Sequence, residues 1–151
     1  MIIKEASKTN IEIIKNFQIK MAKESEGMIL NNVTITKGIS AVFEDSTKGI
    51  YYIAEQDNTI IASLLTTYEW SDWRNSNVLW IQSVYVIPEY RRKGVFKKMY
   101  QYLKNIVENS DKYVGLRLYV DKTNTNAQKV YDNVGMSKEH YFMYEWFKEL
   151  S

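Results

Sequence analysis

Apolar and polar positions along this chain change period several times, and each change marks an element. Met1 to Ser7 reads as a short strand, with Ser7 or Thr9 placed to cap the next element. Ile11, Ile14, Phe17, Ile19 and Met21 then recur at near-helical spacing, predicting a helix from Asn10 to about Glu24 that Ser25-Glu26-Gly27 breaks. A second helix is expected from Thr34 or Thr36 to Phe43. From Gly49 the pattern becomes β-like: Gly49 to Glu55, a turn at Asp57-Asn58, and Thr59 to Tyr68 form a hairpin. Asn75 to Asn77 mark another turn before the strand Val78 to Ile87, which Pro88 ends because it has no amide proton. Val95, Phe96, Met99, Leu103, Ile106 and Val107 return to spacings of three and four, so the helix after Gly94 is amphipathic and ends near Ser110. An alternating strand spans Tyr113 to Val120. A short helix capped by Asn124 runs to Val134 with Gly135 as its left-handed terminator, and Met136 to Phe147 is expected as a closing strand. The order β-α-α-β-β-β-α-β-α-β predicts a mixed α/β domain covering all of 1–151, with a largely antiparallel first half and one β-α-β crossover.

Composition narrows the function classes. With 151 residues, 45% hydrophobic and 25% charged, the chain has the makeup of one soluble globular domain. No cysteine is present, which removes thiolate metal sites, disulfides and a cysteine nucleophile, and the single His140 leaves no basis for a histidine metal site or a Ser-His-Asp triad. The net charge of +2 is too small for a duplex-tracking surface. The first residues are charged at Lys4 and Glu5 with no long apolar run, so neither a signal peptide nor a membrane span is expected, and the expected location is the cytoplasm.

The exception to the even charge is Arg91-Arg92-Lys93-Gly94-Val95-Phe96-Lys97-Lys98, directly after the strand and its proline. Amides of a first helical turn have no intrahelical partner, and the helix dipole adds partial positive charge there. A glycine at that point lets backbone approach an anion closely, so the turn is suited to a diphosphate. The competing reading, a solvated basic turn, is disfavoured by Gly94 and its strand and helix flanks.

Two segments carry a family resemblance. Pro88-Glu89-Tyr90-Arg91-Arg92-Lys93-Gly94-Val95-Phe96 is similar to the R/Q-x-x-G-x-G/A turn of the GNAT superfamily of acyl-CoA-dependent N-acetyltransferases, and Asn124 to Met136 resembles that family's N-x-x-A-x-x-x-Y-x-x-x-G-F segment. Phe96 departs from the pattern, which has Gly or Ala there, so its ring is expected to point into the core beside Met99 and Leu103. The resemblance implies a GNAT-like fold, a central mixed and largely antiparallel sheet flanked by about four helices, with acetyl-CoA as cosubstrate and no metal. It further implies that backbone groups of Val84, Tyr85 and Val86 pair with the pantetheine arm as an added strand, one amide near Val86 polarising the thioester carbonyl. Arg91, Arg92, Lys93, Gly94, Val95, Phe96 and Lys97 would form the diphosphate turn.

For catalysis, Tyr131 is the general-acid candidate, a phenol that can supply a proton to the departing thiolate. Asn124, Ala127 and Tyr131 share one helical face, with Ala127 small enough for close approach and Asn124 able to hydrogen-bond the cofactor's amides. As one of 12 tyrosines, Tyr131 could also be an ordinary buried ring. Two candidates stand for the base: Glu69, the carboxylate nearest the expected acceptor end of its strand, and Gln82, where some members of the family carry glutamate. A water chain without any dedicated side chain is an equal alternative. Tyr68, Trp70, Trp73 and Trp80 are expected either to line an acceptor pocket or simply to pack the sheet, and Glu24 and Glu26 fall in the segment that walls the substrate cleft in that family.

These readings favour an N-acetyltransferase moving an acetyl group to a primary amine, most readily a small molecule, by direct attack in a ternary complex. A non-catalytic acyl-CoA sensor on the same fold would keep the Gly94 turn but have no need of Tyr131. A nucleic-acid-binding domain is disfavoured by the mixed charge, and no membrane partner is expected. A homodimer through the aromatic segment Tyr141 to Phe147 is compatible with the family.

Overall fold

The computed structural model describes residues 1–149, which form two compact units divided after Leu118. The first unit contains β1 (Ile2–Glu5), α1 (Ile11–Glu26), α2 (Asn32–Glu44), β2 (Ile50–Gln56), β3 (Thr59–Ser71), β4 (Ser76–Val86), α3 (Val95–Glu108) and β5 (Tyr113–Arg117). Its sheet runs β1-β2-β3-β4-β5 in chain order, antiparallel until the last pair, where β4 and β5 are parallel and joined through α3. This is the mixed, largely antiparallel sheet that the residue pattern predicts.

The sheet is buried on both faces, and β2 shows why it reads as an unbroken apolar run: Tyr51, Tyr52, Ile53 and Ala54 are all buried. Tyr51 and Ile53 join Ile14 of α1 and Ile39 of α2 in one core cluster. On the opposite face Tyr52 meets Tyr102 of α3 edge-on, with ring centroids 5.8 Å apart. Met99 and Leu103 anchor α3, and Phe96 is buried with its ring 6.3 Å from Tyr100, so the bulky residue at the glycine-preferring position does turn inward. The second helix starts earlier than its apolar spacing suggests, because the Asn31 side chain caps it by accepting from the Thr34 amide at 3.0 Å.

Gly49, which opens β2, has φ 153°, and a Cβ placed there would run into the Thr66 carbonyl oxygen of β3. A backbone atom cannot swing aside. Gly49→Ala is therefore expected to lower stability by more than about 1 kcal/mol. For a chain of this size each kcal/mol is worth roughly 2–4 °C in Tm, so an unchanged melting temperature would rule the contact out.

The second unit, from Tyr119 onward, contains α4 (Thr125–Asn133), which completes the expected four helices. It also corrects one expectation. Residues 136–149 include no strand, so the closing strand expected from Met136 to Phe147 is not formed. The segment is instead irregular, with its large side chains in solvent.

Candidate active site

The site begins where β4 leaves its neighbour. β4 pairs with β3 along its length, but with β5 only from Asn77 to Trp80. Beyond Trp80 the β5-facing edge of β4 has no strand partner among the described residues. Residues 81–86 thus present backbone donors and acceptors to an extended ligand, the geometry of strand augmentation. Val84, Tyr85 and Val86, singled out in the sequence, lie on this stretch.

A bulge modifies the same edge. The β3–β4 register shifts between Ser63 and Leu65, and opposite it Ser83 takes φ 56°. A left-handed residue inside a strand redirects the backbone after it. The conformation is held by Gln18, a buried residue of α1 whose Nε2 donates to the Ser83 carbonyl at 3.0 Å. Sequence reasoning missed both residues. The available signal was Gln18 itself, a polar side chain inside the stripe Ile14, Phe17, Ala22 that faces the core.

After β4, Pro88–Tyr90 makes one short 3-10 turn and Arg92 and Gly94 both adopt left-handed backbone, φ 62° and 76°. Gly94 is the cap of α3, its carbonyl accepting from Lys98 at 3.1 Å. A Cβ on Gly94 would meet nothing within 4 Å, so the space above this turn is open. Arg92, Lys93, Gly94 and Lys97 are exposed around it, while Val95 and Phe96 point inward and offer only backbone. These features fit a diphosphate.

Arg91 is placed differently from its neighbours. Its Nε donates to the Val86 carbonyl and its Nη2 to Glu24 Oε2, both at 2.8 Å, and the guanidinium lies 5.3 Å from the centre of the Tyr85 ring. Glu24 Oε1 also accepts from the Tyr85 hydroxyl at 3.0 Å. Arg91 foremost, with Tyr85, holds the Glu24 carboxyl below the usual carboxylate range. Burial, reinforced by Glu24, pushes the Tyr85 phenol up. The result is a clamp joining the last turn of α1 to the end of β4 and to the turn that follows it.

The two base candidates are both engaged. Glu69 Oε1 accepts from Arg117 Nη1 and from Trp80 Nε1, each at 2.8 Å, and these two partners depress its pKa, Arg117 most. A carboxylate stabilised in this way is a weaker proton acceptor, better suited to fixing Trp80 and Arg117 than to taking a proton from an amine. Gln82 Nε2 donates to Thr67 Oγ1 at 2.9 Å. Of the aromatic group, Tyr68 and Trp70 line a shallow groove of about 670 Å³ at the opposite end of β4, with Tyr68 stacked on Tyr113. At about 3.3 Å per residue, Asn77 in that groove lies roughly 30 Å along β4 from Val86, where the strand ends ahead of the Gly94 turn. Trp73 is fully in solvent, and Glu26 and His140 are exposed.

In the second unit, the Asn124 carboxamide oxygen caps α4 by accepting from the Ala127 amide at 3.0 Å, and its NH2 end is a hydrogen-bond donor. Asn124, Ala127 and Tyr131 fall at i, i+3 and i+7 along this helix, as the spacing requires. The Tyr131 carbonyl accepts from the Met136 amide at 3.1 Å as Gly135 turns the chain at φ 90°. Burial raises the Tyr131 phenol above its ordinary value near 10, so it keeps its proton through neutral pH.

Known proteins share this architecture. The crystal structure of a possible acetyltransferase from Clostridium difficile 630 is 44% identical, with a TM-score of 0.91 over 99% of this chain and 98% of that one. More distant likenesses, which show the fold alone, include AAC(6')-Iy in complex with the bisubstrate analogue CoA-S-monomethyl-acetylneamine (16% identity, TM-score 0.79, 97% of each chain). The ribosomal-protein-alanine N-acetyltransferase from Brucella melitensis biovar Abortus 2308 is another (12% identity, TM-score 0.79, 97% of this chain and 100% of that one). No curated protein matches the sequence significantly. The sequence model of the Acetyltransferase (GNAT) family matches residues 22–136, which contain the splayed edge, the Gly94 turn and α4, and the chain belongs to that family of acetyltransferases.

Proposed function

We propose that this protein transfers the acetyl group of acetyl-CoA to a primary amine by direct attack within a ternary complex, both units acting as one catalytic domain in the cytoplasm. The observation carrying the reading is the β4 edge beyond Trp80, which has no strand partner on its β5 side among the described residues and leads toward the Gly94 turn, an extended backbone site followed by a turn that suits an anion. Backbone groups of Val84 to Val86 hold the pantetheine arm, with an amide beyond the Ser83 bulge aimed at the thioester oxygen, where donors stabilise developing negative charge. The amides of Val95, Phe96 and Lys97 with the side chains of Arg92, Lys93 and Lys97 hold the diphosphate, while Arg91 keeps the turn fixed to Glu24 rather than binding phosphate itself.

Acetyl-CoA supplies the activated acyl group, and the chain supplies orientation and proton management. Ala127 leaves room for the arm, Asn124 hydrogen-bonds its amides, and Tyr131 donates to the departing sulfur. Neither Glu69 nor Gln82 is well placed to deprotonate the amine, so water carries that proton away. Lack of any cysteine is consistent with direct transfer over an acyl-cysteine route.

Thermal unfolding with CoA and thiol release over an amine panel test this together. Ligand at 100 times its Kd stabilises by about 2.7 kcal/mol, a Tm rise of roughly 5–10 °C for a protein of this size. Acetyl-CoA that leaves Tm unmoved and releases no thiol with any amine would overturn the proposal.

A further inference from the structure

Between the pairs Leu65↔Gln82 and Ser63↔Tyr85, β3 carries Leu64 alone while β4 carries Ser83 and Val84. The extra β4 residue makes the bulge, and the carbonyl of the Ser83–Val84 peptide turns to α1, accepting from Gln18 Nε2 at 3.0 Å. At φ 56° Ser83 sits in backbone that an L-residue other than Asn or Asp seldom adopts, so it needs a hold from outside the strand. Gln18 is that hold. It is 4% exposed, on the α1 face otherwise packed by Ile14, Phe17 and Ala22, where an apolar side chain would fill the space with no polar group to satisfy. What glutamine adds there is direction.

A trans peptide is planar, so its C=O and N–H point in opposite directions. With the Ser83 oxygen drawn toward α1, the Val84 N–H is aimed away from α1. We propose that Gln18 is a positioning residue for acetyl transfer: through the Ser83 carbonyl it fixes the Val84 N–H as the donor to the thioester oxygen of acetyl-CoA. This role rests on the acetyl transfer proposed above and names both the amide and the side chain that sets it. Gln18 touches no reacting atom. It acts on the rate because a donor held where charge develops stabilises the transition state, and that value is lost when the peptide plane rotates. The diphosphate turn does not depend on that plane, so acetyl-CoA affinity and rate are expected to separate.

Acetyl-CoA isotope-labelled at the thioester carbonyl gives the readout, since a hydrogen bond to that oxygen lowers its infrared stretching frequency. On the wild-type protein the bound carbonyl is expected to absorb below its frequency in free acetyl-CoA. Gln18→Met and Gln18→Leu keep a side chain of similar size and remove the donor. Both are expected to return the carbonyl toward its free frequency and to lower kcat about 100-fold, the smaller cost of losing one such donor, with acetyl-CoA Kd within about threefold of wild type. Ile14→Val, one turn earlier on the same face and fully buried, is expected to lower Tm while leaving the carbonyl frequency and kcat as in wild type. Amide NMR on the unaltered protein needs no variant to fold: the Val84 amide proton is expected to shift further downfield with acetyl-CoA than with CoA. Gln18 variants that keep the lowered frequency, a lowered frequency lost in Ile14→Val as well, or a Val84 proton in the same place with both ligands overturns the role of Gln18 and leaves acetyl transfer intact. A wild-type protein that binds no acetyl-CoA overturns both.

Discussion

Tyr131→Phe is expected to lower kcat for acetyl transfer about 100-fold while leaving the affinity for acetyl-CoA within a factor of two. The substitution keeps the ring and its packing and removes one oxygen, so it isolates the phenol's hydrogen bond from the structural contribution of α4. Positioned acid–base groups contribute typically 10²–10⁴-fold. The lower end applies here because a phenol is not a strong acid toward a thiolate. With reference values near 10 and 8.5, full proton transfer is uphill by about 2 kcal/mol. Burial raises the Tyr131 phenol further, which makes the transfer harder but guarantees that the donor is protonated when needed. The phenol therefore acts mainly by donating a hydrogen bond as charge develops on sulfur, while the proton lost by the nitrogen leaves through water and the departing thiolate takes up a proton from water.

The same shift has a consequence for pH dependence. A phenol raised above its ordinary value near 10 is fully protonated at neutral pH and loses its proton only above that value. A fall in kcat below pH 9 would then have to come from another group. Steady-state rates from pH 6 to 10 for wild type and Tyr131→Phe provide the check. If the variant retains a third or more of wild-type kcat, or if its loss appears wholly as weaker acetyl-CoA binding, Tyr131 is a packing residue and the acid role falls.

How far the sequence carried is clearest from particular residues. The first unit was legible because its period changes coincide with burial: Tyr51 to Ala54 is apolar throughout and is buried on both faces, and Met99 and Leu103 keep α3 on the sheet. Gly94 was legible because only a residue tolerating positive φ suits that cap, and it has φ 76°. Arg91 was not, since a basic residue beside two others gives no hint that Glu24, 67 positions away, pairs with it. Ser83 was hidden for a related reason. Bulges arise from register with a neighbouring strand, and nothing in Gln82-Ser83-Val84 encodes which residue of β3 lies opposite. Glu69 reads as a general-base candidate in the sequence because nothing near it shows that Arg117, 48 residues downstream, pairs with it. The missing final strand has the same origin: the residues of 141–147 have strand character, but a strand exists only where another strand pairs with it, which composition does not encode.

Substitutions at Gly94 are expected to order CoA affinity by backbone tolerance instead of by side-chain size. Because a Cβ there meets nothing within 4 Å, the first side-chain carbon meets no collision, and the penalty it brings is conformational at φ 76°. An L-residue in left-handed backbone costs roughly 1–2 kcal/mol, less for Asn and more for a β-branched side chain. Gly94→Asn is thus expected to weaken CoA binding only a few-fold, Gly94→Ala about tenfold, and Gly94→Val about 100-fold, as the turn abandons the geometry that aims the α3 amides outward. Each 1.4 kcal/mol corresponds to a factor of ten in Kd, so titration calorimetry resolves the series easily. A simple basic-patch mechanism predicts otherwise: Arg92, Lys93 and Lys97 would remain in all three variants, and CoA affinity would scarcely change. Equal Kd values across Asn, Ala and Val would show that side-chain charge rather than backbone geometry holds the diphosphate. A steep Asn-to-Val gradient at constant charge is the signature of amides doing so, and salt would weaken all four proteins by a similar factor because their charge is the same.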